Sequence, residues 1–468
     1  MSDGDEQVSF DAKLLRVDDF VAGKEQFTDL TNGEQFVKEF REKIRFCTAW
    51  NKWLIWDGNT WHPDDCNEIY ALVKSFIRGM YLKTGPLCDA ERSVLLRSHL
   101  IKSESIRKRQ ALIESASHEQ AVRLFPHEVD SDPFVFNVQN GTIDLRTGIL
   151  HEPMKEKFIT KCAKVVHDRN AQSPEWNMFL LRIMDGNGRL ITFLQKAVGW
   201  ALTGDMSEQV MFILYGSGAN GKSTFLNAIM EILGDYAMSS PTETFMKKHG
   251  EGISNDIARL RGTRFVTTVE AEEGKRMSEP LIKQVTGQDM MTARFLYGEY
   301  FDFAPSFKIF MATNHKPVIR GNDHGIWRRI RLVPFTVTIP YEERDPNLME
   351  KLRKEAPGIL NWMVEGCLLW QKEWLGEPEE VKLATEEYQE DMDLIGSFIR
   401  ECCIVDPSGY LRIGSGELYR AYTVWCEKNS ERPYAQRIFG IHLQNMGVGK
   451  ERDSTTRYWK GIAIRTES

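Results

Sequence analysis

Apolar residues recur at helical spacing over 66–83, where Ile69, Leu72, Val73, Phe76, Ile77 and Met80 would share one face of an amphipathic helix. Just before it, Trp53-Leu54-Ile55-Trp56 runs into Asp57-Gly58-Asn59, the pattern of a strand entering a turn. Residues 91–120 read as further helix. Residues 134–150 read as a hairpin, from the turn signals Asn140-Gly141 and Thr147-Gly148, and 175–203 return to helix. The rhythm changes at about 206. Short apolar runs at Val210–Tyr215, Phe265–Val269 and Lys308–Thr313 alternate with helical stretches such as Thr224–Leu233. That alternation predicts an α/β domain with a central, mostly parallel sheet. Inside it, 292–303 alternates aromatic and polar residues and breaks at Gly298, as a β-hairpin would. Helices are expected over 346–405. The tail offers one helix from about Gly416 (Leu418, Tyr422, Trp425) and another from about Tyr434 (Phe439, Leu443, Met446). A basic hairpin over 452–464 follows, together a winged-helix-like module.

These patterns divide the chain into a polar tail (1–25), an N-terminal mixed α/β, largely helical accessory domain (26–205), the α/β core (206–340), a helical segment (341–405) and the winged-helix-like domain (406–468), a candidate DNA-binding unit. With 468 residues the chain is too long for one compact core. No apolar run reaches the ~18 to 20 residues of a membrane span, and the acidic start MSDGDEQVSF has no apolar signal region. A cytoplasmic protein without membrane contact is therefore expected, in the bacterial host cytoplasm if a phage or mobile element encodes it. The eight cysteines form no Cys-x-x-Cys pair, so neither a zinc site nor a disulfide framework is expected. Net charge is −7, yet 408–468 holds ten Lys/Arg against six Asp/Glu, so the basic character is local to the tail.

The chemistry concentrates in the core. Gly216-Ser217-Gly218-Ala219-Asn220-Gly221-Lys222-Ser223-Thr224 matches G-x-x-x-x-G-K-[ST] between an apolar strand and an amphipathic helix. Glycines let backbone N–H groups converge on phosphate oxygens at a helix N-terminus. Lys222 would reach the β- and γ-phosphates of ATP, and Ser223 would give an oxygen to Mg2+. The strand Phe265–Val269 runs into Glu270-Ala271-Glu272-Glu273. Glu270 is the candidate metal-side carboxylate, and either Glu272 or Glu273 the water-orienting base. Asn314, ending the strand at 307–313, could sense the γ-phosphate or attacking water. Arg328 and Arg329, before another apolar strand, suit an arginine finger that stabilises transferring phosphoryl charge. A finger acting on a neighbour's ATP requires a head-to-tail ring. Lys283, Arg294 and Tyr297, around the candidate hairpin, could contact DNA phosphates and bases.

The order of these motifs resembles superfamily 3 helicases, and among them the phage, plasmid and poxvirus primase-helicase group. The resemblance rests on the Asn220-Gly221-Lys222-Ser223 loop, the strand leading to Glu270, and Lys283-Gln284-x-Thr286-Gly287-x-Asp289-x-x-x-Ala293-Arg294. Thr313-Asn314-His315-Lys316-Pro317 and Gly325-x-Trp327-Arg328-Arg329-Ile330 complete it. Trp53–Gly58 and Asn137–Leu145 resemble the domain that precedes the ATPase in that group. The resemblance implies an AAA+-like core in a homo-hexameric ring moving 3′ to 5′ on single-stranded and forked DNA. It further implies Arg329 as the finger with Arg328 second, and a separate primase or polymerase as partner. Two departures stand out: Tyr297-Gly298-Glu299 at the hairpin tip, where the family often has a basic residue, and only about 25 residues ahead of the shared region, so that no primase domain is expected. The expected function is ATP-dependent DNA unwinding in replication of a phage, plasmid or other mobile element. An initiator or scaffold that binds DNA without processive unwinding is the alternative from another class. A small-molecule kinase would need an acceptor pocket and lid that the sequence does not display.

Overall fold

The computed structural model describes residues 26–87, 90–247, 255–269, 274–295, 299–320, 324–406, 408–429, 431–453 and 456–465. The first helix among the described residues, Asp29–Phe40, starts where the Thr28 hydroxyl accepts from Thr31 N–H. A three-stranded antiparallel sheet follows: β1 (Ile44–Cys47), β2 (Lys52–Trp56) and β3 (Trp61–Pro63). Helices Glu68–Leu87, Ala90–Ser103 and Ile106–Ser117 pack with them around Phe36, Phe46, Trp53 and Phe76. The single helix expected over 91–120 is thus two, because Ser105 is extended (φ −62°, ψ 148°) and breaks the hydrogen-bond ladder.

A second meander, β4 (Val135–Val138), β5 (Gly141–Asp144) and β6 (Ile149–His151), carries both expected turns. Its asparagine motif interlocks with the first sheet. Asn59 Nδ2 donates to Val138 O at 2.9 Å, Asn137 Nδ2 to Asn59 O at 2.8 Å, and Thr142 Oγ1 to Asn137 Oδ1 at 2.6 Å. Asn137 and Thr142 are fully buried, so these polar residues satisfy one another and brace two sheets.

The core strands are β7 (Met211–Tyr215), β8 (Ala237–Ser239) and β9 (Phe265–Val269), then the hairpin β10 (Met291–Arg294) and β11 (Tyr300–Phe303), then β12 (Lys308–Thr313) and β13 (Ile330–Pro334). The sheet order is β13-β7-β12-β9-β8, parallel throughout. Both faces are covered, Phe212 and Leu214 by one apolar cluster, Met211 and Ile213 by another. That explains the unbroken Met-Phe-Ile-Leu run: a strand buried on two sides cannot alternate.

Two charged residues at the sheet's N-terminal edge are buried. Lys308 Nζ donates to Thr203 O at 2.6 Å and lies 4.8 Å from the Trp200 ring centroid. Arg264 Nη1 donates to Leu202 O at 2.5 Å. Both cations thus meet the carbonyls at the C-terminal end of helix Gly188–Ala201, where the macrodipole favours positive charge. Burial nonetheless pushes the Lys308 pKa well below its ordinary value.

Residues expected as one helix over 175–203 form Pro174–Ile183 and Gly188–Ala201. They split where Asp185 (φ +51°) and Gly186 turn the backbone left-handed, and Asn187 Oδ1 caps the second helix. That second helix crosses Ala356–Glu373 at van der Waals limit. A Cβ on Gly199 would lie 2.1 Å from Cys367 N, and one on Gly366 2.1 Å from Gln195 O. Both helices belong to the same apolar cluster as the first face of the sheet, so packing is continuous across 205–206 and 340–341. Helix Glu379–Met392 covers the edge strand, with Leu332 N donating to Thr385 Oγ1 at 3.1 Å.

The tail contains helices Ser415–Lys428 and Gln436–Asn445 with strands β14 (Cys403–Val405), β15 (Arg412–Gly414), β16 (Gly449–Arg452), β17 (Arg457–Lys460) and β18 (Ile462–Ile464). Leu418, Tyr422, Phe439, Leu443 and Trp459 form its core. Among the described residues no helix is long and apolar enough to cross a membrane.

Gly199→Ala should lower unfolding free energy by about 1–3 kcal/mol through overpacking. A chemical-denaturation midpoint checks this, with Gly188→Ala, whose Cβ would meet nothing within 4 Å, unchanged.

Candidate nucleotide site

β7 ends at Tyr215 and helix Lys222–Leu233 begins six residues past Gly216, with the loop curled between them. Gly221 has φ +85°, and a Cβ there would lie 2.5 Å from Ile183 Cγ2, so only glycine lets helix Pro174–Ile183 press on the loop. Asn220 is buried and its Nδ2 donates to Phe335 O at 3.1 Å, just past β13.

Lys222 Nζ donates to Gly216 O at 2.8 Å, Asn220 Oδ1 at 3.0 Å and Asn314 Oδ1 at 3.1 Å. The ammonium is thus held by three neutral oxygens from the loop and from the end of β12, while burial lowers its pKa. Gly218 to Thr224, with Val269, Ala312, Thr313 and Asn314, line a cavity of about 280 Å³. Ser223 and Ser217 are exposed, the former on the first helical turn lining the cavity. Lys222 and Asn314, 92 positions apart, are therefore direct partners. The expected carboxylates Glu270, Glu272 and Glu273 lie outside the described residues; they follow Val269, itself in the cavity wall.

Arg328 and Arg329 lie at the other end of the sheet. Met211 N donates to Arg329 O at 2.8 Å, and β13 pairs with β7 from Ile330↔Met211 to Pro334↔Tyr215. Five residues of strand, about 16 Å, separate them from the start of the phosphate loop, farther than an arginine side chain reaches. Arg328 is exposed. Arg329 is half-buried, its Nη1 donating to Gln209 Oε1 at 2.9 Å, and burial followed by the Arg328 charge lowers its pKa. Gln209 itself has φ +54°.

Lys283 sits in the last turn of helix Glu279–Val285. Arg294 ends β10 with its guanidinium 5.0 Å from the Tyr300 ring centroid. Tyr297 lies outside the described residues. The pattern reading missed the side chain of Asn220, which acts as a tie to β13, and the contact of Ile339 N with Ala219 O at 2.8 Å. Their partners are 115 and 120 positions away, so no local pattern marks them.

Residues 33–185 match the family described as D5 N terminal like, and 214–329 match a family of unknown function, DUF5906. The chain is 26% identical over 65% of its length to "Putative helicase L207/L206" of Acanthamoeba polyphaga mimivirus, covering 34% of that protein. It is 28% identical over 62% of its length to "Putative helicase 022R" of Frog virus 3 (isolate Goorha), covering 31%. The chain thus spans about a third of the length of these curated relatives. Among solved structures, the apo structure of NrS-1 C terminal region (305–718) superposes with a TM-score of 0.50 at 11% identity, over 94% of this chain and 100% of that one. At that identity the likeness is one of fold.

Asn220→Ala would leave Phe335 O without its amide donor and remove one acceptor from Lys222. A loss of about 1–3 kcal/mol is expected, read by chemical denaturation beside Ser217→Ala, which should stay within about 0.5 kcal/mol of wild type.

Proposed function

We propose that this chain, which belongs to the D5-like group of superfamily 3 primase-helicases, hydrolyses ATP to unwind duplex DNA during replication. The observation that carries the reading is the bond of Lys222 with Asn314 in the cavity of about 280 Å³ beside the loop. A cation suited to phosphate and a hydrogen-bonding amide held side by side would act on the same reacting group.

Loop N–H groups and Lys222 would bind the β- and γ-phosphates. When a phosphate oxygen takes the ammonium, Asn314 Oδ1 is released and can accept from the attacking water. The exposed hydroxyl of Ser223 and the carboxylate of Glu270 are hard oxygen donors of the kind Mg2+ prefers, so these two would hold the ion. Bound there, Mg2+ would neutralise developing phosphate charge. Glu272 or Glu273 would orient water.

The distance between loop and arginines supports a ring. In a head-to-tail homo-hexamer the far edge of one sheet would face the loop of the next subunit. Arg328, exposed, is then the residue able to reach the neighbour's γ-phosphate, with Arg329, tied to Gln209, holding the strand end in place. This reverses the order that the resemblance implies. Lys283, Arg294 and Tyr297 would contact single-stranded DNA in the channel, and the basic tail would serve as a winged-helix-like DNA module beside a separate primase or polymerase.

Wild type should open a forked duplex bearing a 3′ loading tail with ATP and Mg2+, and Lys222→Ala should open none. ATP turnover and DNA binding without fork opening by the wild type would favour the scaffold reading instead. In assembled rings Arg328→Ala should cut ATP turnover by about 10³-fold, as trans-acting arginines do. Near-normal turnover of that ring would remove the trans role.

A further inference from the structure

The phosphate cavity has two ends. One is walled by Val269, Thr313 and Asn314, at the C-terminal ends of β9 and β12. A triphosphate must direct its terminal phosphate there, because Lys222 and Asn314 converge at that end. A nucleoside leaving over the opposite shoulder of the loop, past Gly218 and Ala219, would meet the chain that follows β13.

That shoulder is built. Ala219 has φ +49°, an uncommon conformation for a residue with a Cβ, and its carbonyl accepts from Ile339 N at 2.8 Å. The chain after β13 runs back along the loop, with Phe335 N donating to Tyr215 O at 2.7 Å, before it turns tightly at Tyr341–Glu343. Arg344 Nε closes the turn by donating to Ile339 O at 3.1 Å, and its guanidinium lies 5.8 Å from the Tyr341 ring centroid. On the far side Arg182 Nε and Nη2 donate to Glu343 Oε2 at 3.1 and 2.5 Å. Arg182 belongs to the same helix that presses Ile183 on Gly221. The turn is therefore fastened to the loop twice, through Ile339 and through helix Pro174–Ile183. Yet Tyr341, which this scaffold presents, is 79% exposed.

We infer that the Ile339–Arg344 turn is the nucleoside subsite and that Tyr341 is its base-stacking platform, for a nucleoside triphosphate whose aromatic base covers the ring. The inference rests on the ATP-hydrolysing reading above and names the residues that would take the other half of that substrate. One rigid piece would then set both phosphate and base positions, since the Ala219–Ile339 bond joins them directly. The side chain of Arg344 backs the platform, and Arg182 keeps the turn against the loop.

Titration calorimetry on the full chain tests this with two ligands, Mg-ATP and Mg-tripolyphosphate, which has the phosphates without the base. Tyr341→Ala should weaken ATP binding about tenfold, the scale of one base stacked on an aromatic side chain. Tripolyphosphate binding should be unchanged, and Tyr341→Phe should restore ATP binding. Unchanged ATP affinity in Tyr341→Ala overturns the inference. So does an equal loss for both ligands, which would make the turn a mere support of the loop. Absence of turnover with tight, Tyr341-dependent ATP binding would instead remove the hydrolytic reading and leave the subsite standing.

Discussion

A buried ammonium must keep oxygen neighbours, and around Lys222 those neighbours come from distant parts of the chain. Gly216 O and Asn220 Oδ1 belong to the loop, while Asn314 Oδ1 arrives from β12. Desolvating a charge without such partners costs several kcal/mol. The strand order that seats β12 beside β7 is therefore a condition for the loop to hold its lysine at all. Asn220 extends the dependence to β13 through Phe335 O, so three neighbouring strands end on one small polar cluster.

The same parallel order gives the sheet two unlike edges. At the C-terminal edge, loop N–H groups and polar side chains converge. At the N-terminal edge lie the cations Lys308 and Arg264, buried under the end of helix Gly188–Ala201, and the outward Arg328. The buried pair is satisfied by helix carbonyls and aromatic faces, which locks the accessory helices to the sheet. The outer arginine takes no part in that lock; in the proposed ring its placement would set each sheet between one subunit's loop and the next subunit's surface.

The accessory region is not a passenger on this core. Arg261, ahead of β9, lies 4.9 Å from the Trp50 ring centroid and 5.3 Å from that of Phe301, linking the first sheet to the hairpin β10–β11. Ile183 bears on Gly221 and Arg182 holds Glu343. The candidate nucleotide site and the hairpin root thus both touch the N-terminal part through single, identifiable side chains.

Local pattern alone determined much of this protein. The glycine spacing and the Lys222-Ser223 pair mark the tight loop between β7 and helix Lys222–Leu233, whose inward N–H groups at a helix start the proposed phosphate binding would use. Apolar runs free of alternation specify strands buried on both faces, and the core strands form where those runs lie. Helix ends were less legible: Ser105 and the Asp185-Gly186-Asn187 turn break helices that periodicity joined, since a cap is a local hydrogen bond and leaves apolar spacing intact. Only the tertiary structure decided that Asn314 meets Lys222, that Arg328 faces outward while Arg329 is tied to Gln209, and that Ile339 meets Ala219. Those pairings depend on strand order and on contacts between residues about 90 to 120 positions apart, and a one-dimensional pattern carries no distance.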